Sequence, residues 1–453
     1  MTQDSPTTIF APSTAPGKAG IAVFRLSGIQ SSRVLQELTR AALPAPRRAT
    51  RRTLWASGEG LADAIDQALV IWFPAPASFT GEDVVELHIH GGPAIAAALA
   101  QELINTHKLV VAAPGEFTRR AFDHGKLDLT EVEGLADLIA AETEAQRRQA
   151  MRQADGALSR LYDSWRERLV GALARLEAAI DFPDEDLPPD LVPAVDRVMR
   201  ETEEAIDLHL DDGHRGERLR DGLSIAILGA PNAGKSSLLN RLARREAAIV
   251  SAQAGTTRDV IELHLDLGGY PVTLADTAGL RVTADDIEAE GVRRALHRAA
   301  AADLKLLVLD ASALGTEHPL VDAETAKLID EDALLVLNKA DLAQRDLPLE
   351  IAGRQVLAVS ALTGTGIDEL VEALSTTAAA RLALGTAPAL TRERHRAALE
   401  RCQAALLRGA AAELPELKGE DLRLAVQALG EITGRVDVEE ILDRIFREFC
   451  IGK

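Results

Sequence analysis

One stretch decides the fold of the central part of this chain: residues 224–237 read SIAILGAPNAGKSS. Residues 224–228 predict a buried strand, and the residues after them match the pattern GxxxxGKS. Glycines in such a loop let backbone N–H groups close around a phosphate, and the following helix directs the positive end of its dipole there. We therefore expect a strand, a phosphate-binding loop and a helix, with Lys235 at the phosphates and Ser236 on magnesium.

A second motif indicates which base is bound. The apolar run 334–337 is followed by Asn338-Lys339-Ala340-Asp341. The Asp341 carboxylate can accept hydrogen bonds from the ring N–H and the amine of guanine, a donor pair that adenine lacks. Leaving that pair unmet in a buried pocket disfavours ATP. Residues 359–362, VSAL, predict a loop at a strand end whose N–H groups meet the guanine oxygen. These motifs favour GTP and oppose a P-loop kinase or ATPase.

Two further motifs lie between the first two: AGTTRD at 254–259 and DTAG at 276–279. Asp276 closes a predicted strand and suits indirect binding of magnesium, while the Gly279 N–H can meet the γ-phosphate. Thr257 would complete the magnesium shell in a segment that orders around that phosphate. The order of these elements predicts a GTPase.

The residue after Gly279 departs from the Ras-like pattern, because Leu280 stands where a glutamine would orient the attacking water. Three substitutes are open. Arginines at 258 and 281 can act as internal fingers, and a monovalent cation near Asn232 can replace an arginine. An acidic residue of the following segment can hold the water instead. Its members are Asp285, Asp286, Glu288 and Glu290.

Charge limits how this chain can meet a nucleic acid. It has 50 basic and 70 acidic residues, a net charge of −20 and a pI near 5.0. A general polyanion binder is therefore excluded, and any RNA contact needs a local patch. Residues 1–125 are neutral and contain the densest basic run, which we interpret as a solvated loop, with an RNA-backbone contact as the alternative. The run comprises Arg47, Arg48, Arg51 and Arg52.

The pattern along the chain predicts a multidomain protein of mixed class. Residues 1–125 mix predicted strands (20–26, 68–73, 83–90) with helices (32–42, 93–106), which indicates an α+β or α/β domain. A helical period follows from 130 to 180, again over 191–210, and returns after 380. The block 219–380 alternates strands and helices, which predicts a mainly parallel sheet inserted into a helical bundle. We expect a cytoplasmic protein without stable membrane insertion, because no signal peptide or spanning segment is seen.

Over essentially its full length the chain resembles the MnmE/TrmE family of tRNA wobble-uridine modification GTPases. The motifs that carry the resemblance are GAPNAGKSS (229–237), AGTTRD (254–259), DTAGLR (276–281), NKAD (338–341), PGEF (114–117), KLDL (126–129), FTGED (79–83) and FCIGK (449–453). The resemblance implies a folate-binding, dimerising domain at 1–125, a discontinuous helical domain at 126–218 and 381–453, and a GTP-binding domain at 219–380.

The resemblance also implies an activity. Members act with the FAD-carrying flavoprotein MnmG to add an aminomethyl or carboxymethylaminomethyl group to C5 of the wobble uridine of tRNA. The carbon comes from 5-formyltetrahydrofolate or a related tetrahydrofolate, and potassium stimulates their GTPase. A ribosome-assembly or signalling switch GTPase is the alternative, since it would share the GTP site but needs neither a folate site nor the terminal motif.

Site residues follow from the matched positions. The expected GTP contacts are Asn232, Ala233, Gly234, Lys235, Ser236, Ser237, Ser251, Thr256, Thr257, Asp276, Thr277, Ala278, Gly279, Asn338, Lys339, Asp341, Ser360, Ala361 and Leu362. The expected magnesium ligands are Ser236 and Thr257. The resemblance implies that the potassium ligands are Asn232, Ser251, Gln253 and Thr256. The expected catalytic residues are Lys235 and Glu288, and the resemblance implies that Glu288 steers the water. The matched positions for folate are Arg25, Glu86, Lys126 and Lys453. Cys450 is either near the one-carbon unit or a structural residue of the terminal segment.

Overall fold

The computed structural model describes residues 7–57, 64–181, 191–245, 262–276, 302–313, 321, 326–343, 346–385, 387–436, 445–446, 449 and 452. The chain divides into two compact units. Unit 1 comprises residues 1–136, 153–166 and 427–453, and unit 2 comprises residues 137–152 and 167–426. No helix in the described ranges has both the length and the apolar character needed to cross a bilayer.

Unit 1 contains a six-stranded sheet. Its strands are β1 (Ile9–Pro12), β2 (Ala19–Ser27), β3 (Thr50–Trp55), β4 (Ala64–Phe73), β5 (Val84–Gly91) and β6 (Val110–Val111). They lie in the order β3-β4-β5-β2-β1-β6, and all neighbours are antiparallel except β1 and β6. The strand predicted over 20–26 lies within β2, and the one predicted over 68–73 lies within β4. The strand predicted over 83–90 begins one residue before β5.

Three helices accompany this sheet: α1 (Ser31–Thr39), α2 (Pro93–Asn105) and α3 (Glu116–Asp123). Residues of α1 and α2 share a buried core with alternate residues of β2 and β5, so one face of the sheet is covered by helices. The core includes Phe24, Leu26, Leu87, Ile89, Val34, Leu38, Leu99 and Leu103. The interpretation of the arginine run as a loop is wrong for two residues, because Arg51 and Arg52 pair with β4 in strand β3.

The remaining helices are α4 (Leu129–Ala140), α5 (Glu144–Ala154), α6 (Ala157–Asp181), α7 (Leu191–Leu210), α8 (Arg215–Asp221), α9 (Lys235–Ala243), α10 (Ile367–Leu382), α11 (Glu393–Ala411) and α12 (Pro415–Thr433). The helical period predicted over 130–180 is seen in α6, whose buried side chains include Leu158, Trp165, Leu169, Ala172 and Leu176. In unit 2, Asp137 accepts hydrogen bonds from Arg220 (3.1 Å) and Arg392 (2.7 Å), which joins helical segments far apart in sequence.

Unit 2 contains a seven-stranded sheet. Its strands are β7 (Leu223–Leu228), β8 (Glu262–Leu267), β9 (Tyr270–Asp276), β10 (Leu304–Asp310), β11 (Ala333–Asn338), β12 (Glu350–Ile351) and β13 (Arg354–Ala358). The order is β12-β13-β11-β10-β7-β9-β8, parallel throughout except at the outer strands β12 and β8. The carboxyl ends of the parallel strands therefore meet at one edge, where ligands of such sheets bind.

Candidate nucleotide site and a second charged site

The predicted phosphate loop runs from β7 to α9, and two of its glycines are required by close packing. A Cβ at Gly229 would lie 2.1 Å from the carbonyl oxygen of Val308. A Cβ at Gly234 would lie 2.2 Å from Nδ2 of Asn338, and Gly234 has φ of +94°. Only glycine fits at either position without displacing a neighbour. The loop is thus pressed against the ends of β10 and β11.

The Lys235 side chain points back into this loop. Its Nζ donates to the carbonyl oxygens of Gly229 (2.8 Å) and Ala230 (2.9 Å), and the residue is only 8% exposed. The ammonium is therefore held within the loop, beside the N-terminus of α9, where its charge adds to the positive end of the helix dipole. Asn232, Ser236 and Ser237 are exposed at the same place, and Asn232 has φ of +63°.

Asn338 joins three loops of the site. It is 1% exposed, its Nδ2 donates to the Ala233 carbonyl (2.9 Å), and its Oδ1 accepts the Ala361 N–H (3.0 Å). The Ala340 N–H donates to the Val359 carbonyl (3.0 Å), which adds a second tie between the last two loops. The structure therefore brings the GAPNAGKS, NKAD and SAL segments together through one buried amide.

The SAL segment, residues 360–362, is held by hydrogen bonds within its own loop. The buried Ser360 accepts the Thr363 N–H at its Oγ (3.1 Å), and its backbone N–H donates to the Thr365 carbonyl (2.9 Å). Leu362 is 80% exposed, and Asp341 is exposed in a single 3₁₀ turn at 340–342. Both lie at the carboxyl ends of neighbouring strands, on the open side of the nucleotide site.

Asp310 contributes to this site although it belongs to none of the sequence motifs. Lys339 has φ of +62°, and its Nζ donates to Oδ2 of Asp310 (2.6 Å). Burial alone would raise the pKa of Asp310, but hydrogen bonds from Lys339 and Ser312 outweigh it and lower the pKa. The ion pair therefore persists at neutral pH and fixes the course of the NKAD turn. A polar residue directly after an apolar strand was the available signal.

Many predicted site residues lie outside the described part of the chain. The backbone of Asp276 closes β9 opposite Ile227 of β7, but its side chain is not described. The others are Ser251, Gln253, Thr256, Thr257, Arg258, Thr277, Ala278, Gly279, Leu280, Arg281, Asp285, Asp286, Glu288, Glu290, Cys450 and Lys453.

A second charged site lies on the sheet of unit 1. Arg25 of β2 faces Glu86 of β5, and its Nη2 and Nε donate to Oε1 of Glu86 (2.8 and 3.2 Å). The two side chains are 22% and 19% exposed, so the pair is largely shielded from water. The guanidinium lies 5.6 Å from the ring of Phe79 and 5.9 Å from that of Phe117. Oε2 of Glu86 contacts the ring Nε2 of His88 at 3.3 Å.

The other predicted folate residues are partly placed. Lys126 is exposed, and its side chain lies close to Gly81 of the FTGED segment. Its Cε is 3.4 Å from the position that a Cβ on Gly81 would take. Near the C-terminus, the carbonyl of Gly452 accepts a hydrogen bond from Ser13 Oγ (3.0 Å). A Cβ at Gly452 would lie 2.2 Å from the Pro12 carbonyl, so the tail packs directly against β1. Ala11 of β1 faces Arg25 across the ladder, so Gly452 packs one residue along β1 from the position that pairs with Arg25.

Sequence comparisons place the chain in a family. Residues 129–450 match the model of the MnmE helical domain, and residues 8–126 match that of the GTP-binding protein TrmE N-terminus. The tRNA modification GTPase MnmE of Paramagnetospirillum magneticum is 58% identical over 446 residues, 98% of this chain and 99% of that protein. The MnmE of Rhodospirillum rubrum is 57% identical over 456 residues, with 98% and 99% covered. The predicted fold class and resemblance are confirmed, and the chain belongs to the MnmE family of tRNA modification GTPases.

Proposed function

We propose that this chain is a potassium-stimulated GTP hydrolase that works with the flavoprotein MnmG on tRNA. Together they would add an aminomethyl or carboxymethylaminomethyl group to C5 of the wobble uridine, with a tetrahydrofolate as the carbon source. The observation that carries the nucleotide part is the buried Asn338, which joins the phosphate loop to both base-side loops. The family membership supports the tRNA part.

Guanine specificity is assigned to Asp341 together with Ser360, Ala361 and Leu362. Asp341 is exposed at the end of β11, so its carboxylate is available to the two donors of guanine. Asp341→Asn tests this role, because an amide cannot accept both hydrogen bonds. We expect the variant to lose its preference for GTP and to prefer xanthosine triphosphate instead. Retained GTP preference would contradict the assignment.

Magnesium is assigned to Ser236 and Thr257, and phosphate binding to the loop with Lys235. A hydroxyl at the start of α9 fits this hard cation, which takes oxygen ligands beside phosphates. When bound, the ion would neutralise charge on the phosphate oxygens. The chain's own contribution is to hold the Lys235 ammonium at the loop centre and to orient the phosphates with backbone N–H groups. Glu288 is proposed to steer the water.

Potassium is assigned to Asn232, Ser251, Gln253 and Thr256, where it would supply a positive charge beside the phosphates. Asn232 fits the role: it is exposed, and its left-handed backbone turns at the mouth of the phosphate loop. GTP hydrolysis measured in matched KCl and NaCl buffers, at several protein concentrations, tests this. We expect faster hydrolysis in KCl. Equal rates in both salts would contradict it.

A tetrahydrofolate is assigned to Arg25, Glu86, Lys126 and Lys453, with Cys450 near the one-carbon unit. The largely buried Glu86 carboxylate can accept from the donor edge of a pterin, while cations suit the anionic tail. Phe79, 37% exposed beside Arg25, offers a ring face to a flat ligand. The hydrogen bond from Ser13, directly after β1, to the Gly452 carbonyl supports the assignment of Lys453 to this site.

We further propose a homodimer through residues 1–125, a cytoplasmic location and the division 1–125, 126–218, 219–380 and 381–453. Unit 1 exposes large apolar side chains that suit self-association: Ile21, Ile29, Val110 and Val111. Light scattering across a dilution series would measure the dimer. A monomer at micromolar concentration would contradict it.

The alternative is a switch GTPase of ribosome assembly or signalling. It needs the nucleotide site but has no use for the Arg25–Glu86 pair or the packed terminus. Calorimetric titration with 5-formyltetrahydrofolate separates the two functions. Binding that is lost in Glu86→Gln supports tRNA modification, whereas no binding by the native chain favours the switch.

A further inference from the structure

Unit 1 contains a group of arginines, the arginine edge, at and beside one border of its sheet. Its members are Arg40, Arg47, Arg48, Arg51 and Arg52. Across the described ranges none of them forms an ion pair with a carboxylate; the side-chain contacts of this group are backbone carbonyls, the Gln67 amide and the Trp55 ring. By contrast, Arg147 and Arg148 of α5 are both ion-paired with Glu144.

The arginine edge lies along one border of the six-stranded sheet. Strand β3 pairs only with β4 in that sheet, and Arg47 and Arg48 are exposed in the turn before it. Five residue steps separate the ends of the run 47–52, so its charges extend over at most about 17 Å, less the shortening caused by the turn at Arg47. The line is long enough to meet several consecutive phosphates of a nucleic acid strand.

The register relates this border to the Arg25–Glu86 pair. Arg51 faces Leu69, and Leu69 faces His88, so the three side chains form one row on one face. Glu86 lies two residues from His88 on β5 and is therefore on the same face. Two strand spacings separate β3 from β5, about 10 Å. A strand of RNA along β3 would lie within one or two nucleotides of the pair.

We propose that the arginine edge binds the phosphate backbone of tRNA and directs a single-stranded loop toward the Arg25–Glu86 face. The inference rests on the proposed function and adds the surface on which the RNA lies. A guanidinium without a carboxylate partner keeps its donors for phosphate, where it binds in a bidentate manner. In a chain of net charge −20, such a patch is the condition for RNA binding. The Arg40 guanidinium over the Trp55 ring, 5.1 Å from its centre, adds a flat surface on which a base can stack.

The test compares a variant that lacks two charges of the arginine edge with a control variant that lacks two arginine charges elsewhere. Arg48→Gln with Arg51→Gln alters the arginine edge, and Arg147→Gln with Arg148→Gln removes the same charge from ion-paired positions. Arg52 stays, because its Nε is buried. Binding of an unmodified tRNA transcript to the full chain is measured by filter binding at several KCl concentrations. We expect the first variant to bind about 10-fold more weakly at low salt, with a log–log salt slope shallower by about 1.5. The second variant should keep the native slope.

The outcomes separate this proposal from the proposed function. Native affinity and slope in the first variant would overturn the arginine edge while leaving tRNA modification intact. The same result with weaker capture of the flavoprotein partner would instead assign the surface to a protein contact. Equal losses in both variants would reduce the effect to net charge and also overturn the proposal. A native chain that binds no tRNA, alone or with its partner, would count against the proposed function itself. Thermal unfolding of each variant checks that the fold is retained.

Discussion

The two sheets of this molecule build their candidate sites in opposite ways. In unit 2 the site lies at the carboxyl ends of parallel strands, and each part is a short run of adjacent residues such as GAPNAGKS or NKAD. In unit 1 the site lies on the face of an antiparallel sheet, where Arg25 and Glu86 meet although they are 61 residues apart. The residues of a loop site are adjacent in the sequence, whereas the residues of a site on a sheet face are brought together by the register of the strands.

The difference predicts how each site responds to substitution. The loop site depends on backbone conformation and close packing, so a single methyl group should disrupt it. The face site depends on side chains above a pleated backbone, so its residues can be exchanged with smaller losses in stability. The expected results below test this contrast, beginning with the largest effect.

Gly234→Ala should give the largest effect. Its Cβ would lie 2.2 Å from Asn338 Nδ2, and φ is +94°, so GTP affinity should fall by about 100-fold or more. Binding of a fluorescent GTP analogue measures the loss. Gly385→Ala is the control, since a Cβ there meets nothing within 4 Å. Near-native binding by Gly234→Ala would remove the distinction between the two sites.

Asn338→Ala tests whether one amide holds the loop site together. The change removes the hydrogen bonds to Ala233 and Ala361 and leaves a buried carbonyl and N–H unpaired, at a cost of about 3 kcal/mol. We expect earlier chemical unfolding of unit 2 and weaker GTP binding together. A loss of binding with native unfolding would instead mean that Asn338 contacts the nucleotide alone.

Acid should weaken the helical part of unit 2 through His209 of α7. Burial lowers the pKa of His209 to about 4, with His395 and Arg396 adding to the shift and Asp212 opposing it. The unfolded chain binds a proton near pH 6.5 and the folded chain only near 4, so stability is lost as pH falls through that range. The loss reaches about 3 kcal/mol.

Urea unfolding at pH 7 and pH 4.5 measures this effect. His209→Gln should flatten the pH dependence, because glutamine takes up no proton in this range. An equal slope in the variant would assign the acid sensitivity to other groups.

Glu86→Gln should separate binding from stability at the face site. The amide keeps a hydrogen bond to Arg25 but loses its charge, so stability should fall by only about 1 kcal/mol. Affinity for 5-formyltetrahydrofolate should fall about 10-fold, since the carboxylate is the proposed acceptor for the pterin. A stability loss as large as that of Asn338→Ala would contradict the contrast between the sites.

Gly171→Ala gives the smallest expected effect and lies in neither site. Gly171 is exposed within α6, and a Cβ there meets nothing within 4 Å. Alanine should stabilise the helix by about 0.5–1 kcal/mol, because glycine loses more backbone entropy on folding. A rise in the midpoint of thermal unfolding measures it, and a fall would indicate a close contact at this position.

Much of the fold was predictable from pattern. Buried strands β7, β10 and β11 are predominantly apolar, because both faces of the sheet are covered, and α6 and α7 follow the helical period, because one side of each helix is packed. Strand β3 was missed since its sequence, TRRTLW, is mostly polar at an edge of the sheet. The ladder with β4 decides its conformation, and a local window does not contain that partner.

By itself, the sequence determined the nucleotide motifs, their order and the family, because each motif is a contiguous run whose backbone chemistry is local. Only the tertiary structure decided that Asn338 joins three loops, that Lys339 pairs with Asp310, and that Arg25 meets Glu86 beside Phe79. These contacts arise from strand register and packing between distant segments. Their energies depend on burial, which no single stretch of the chain specifies.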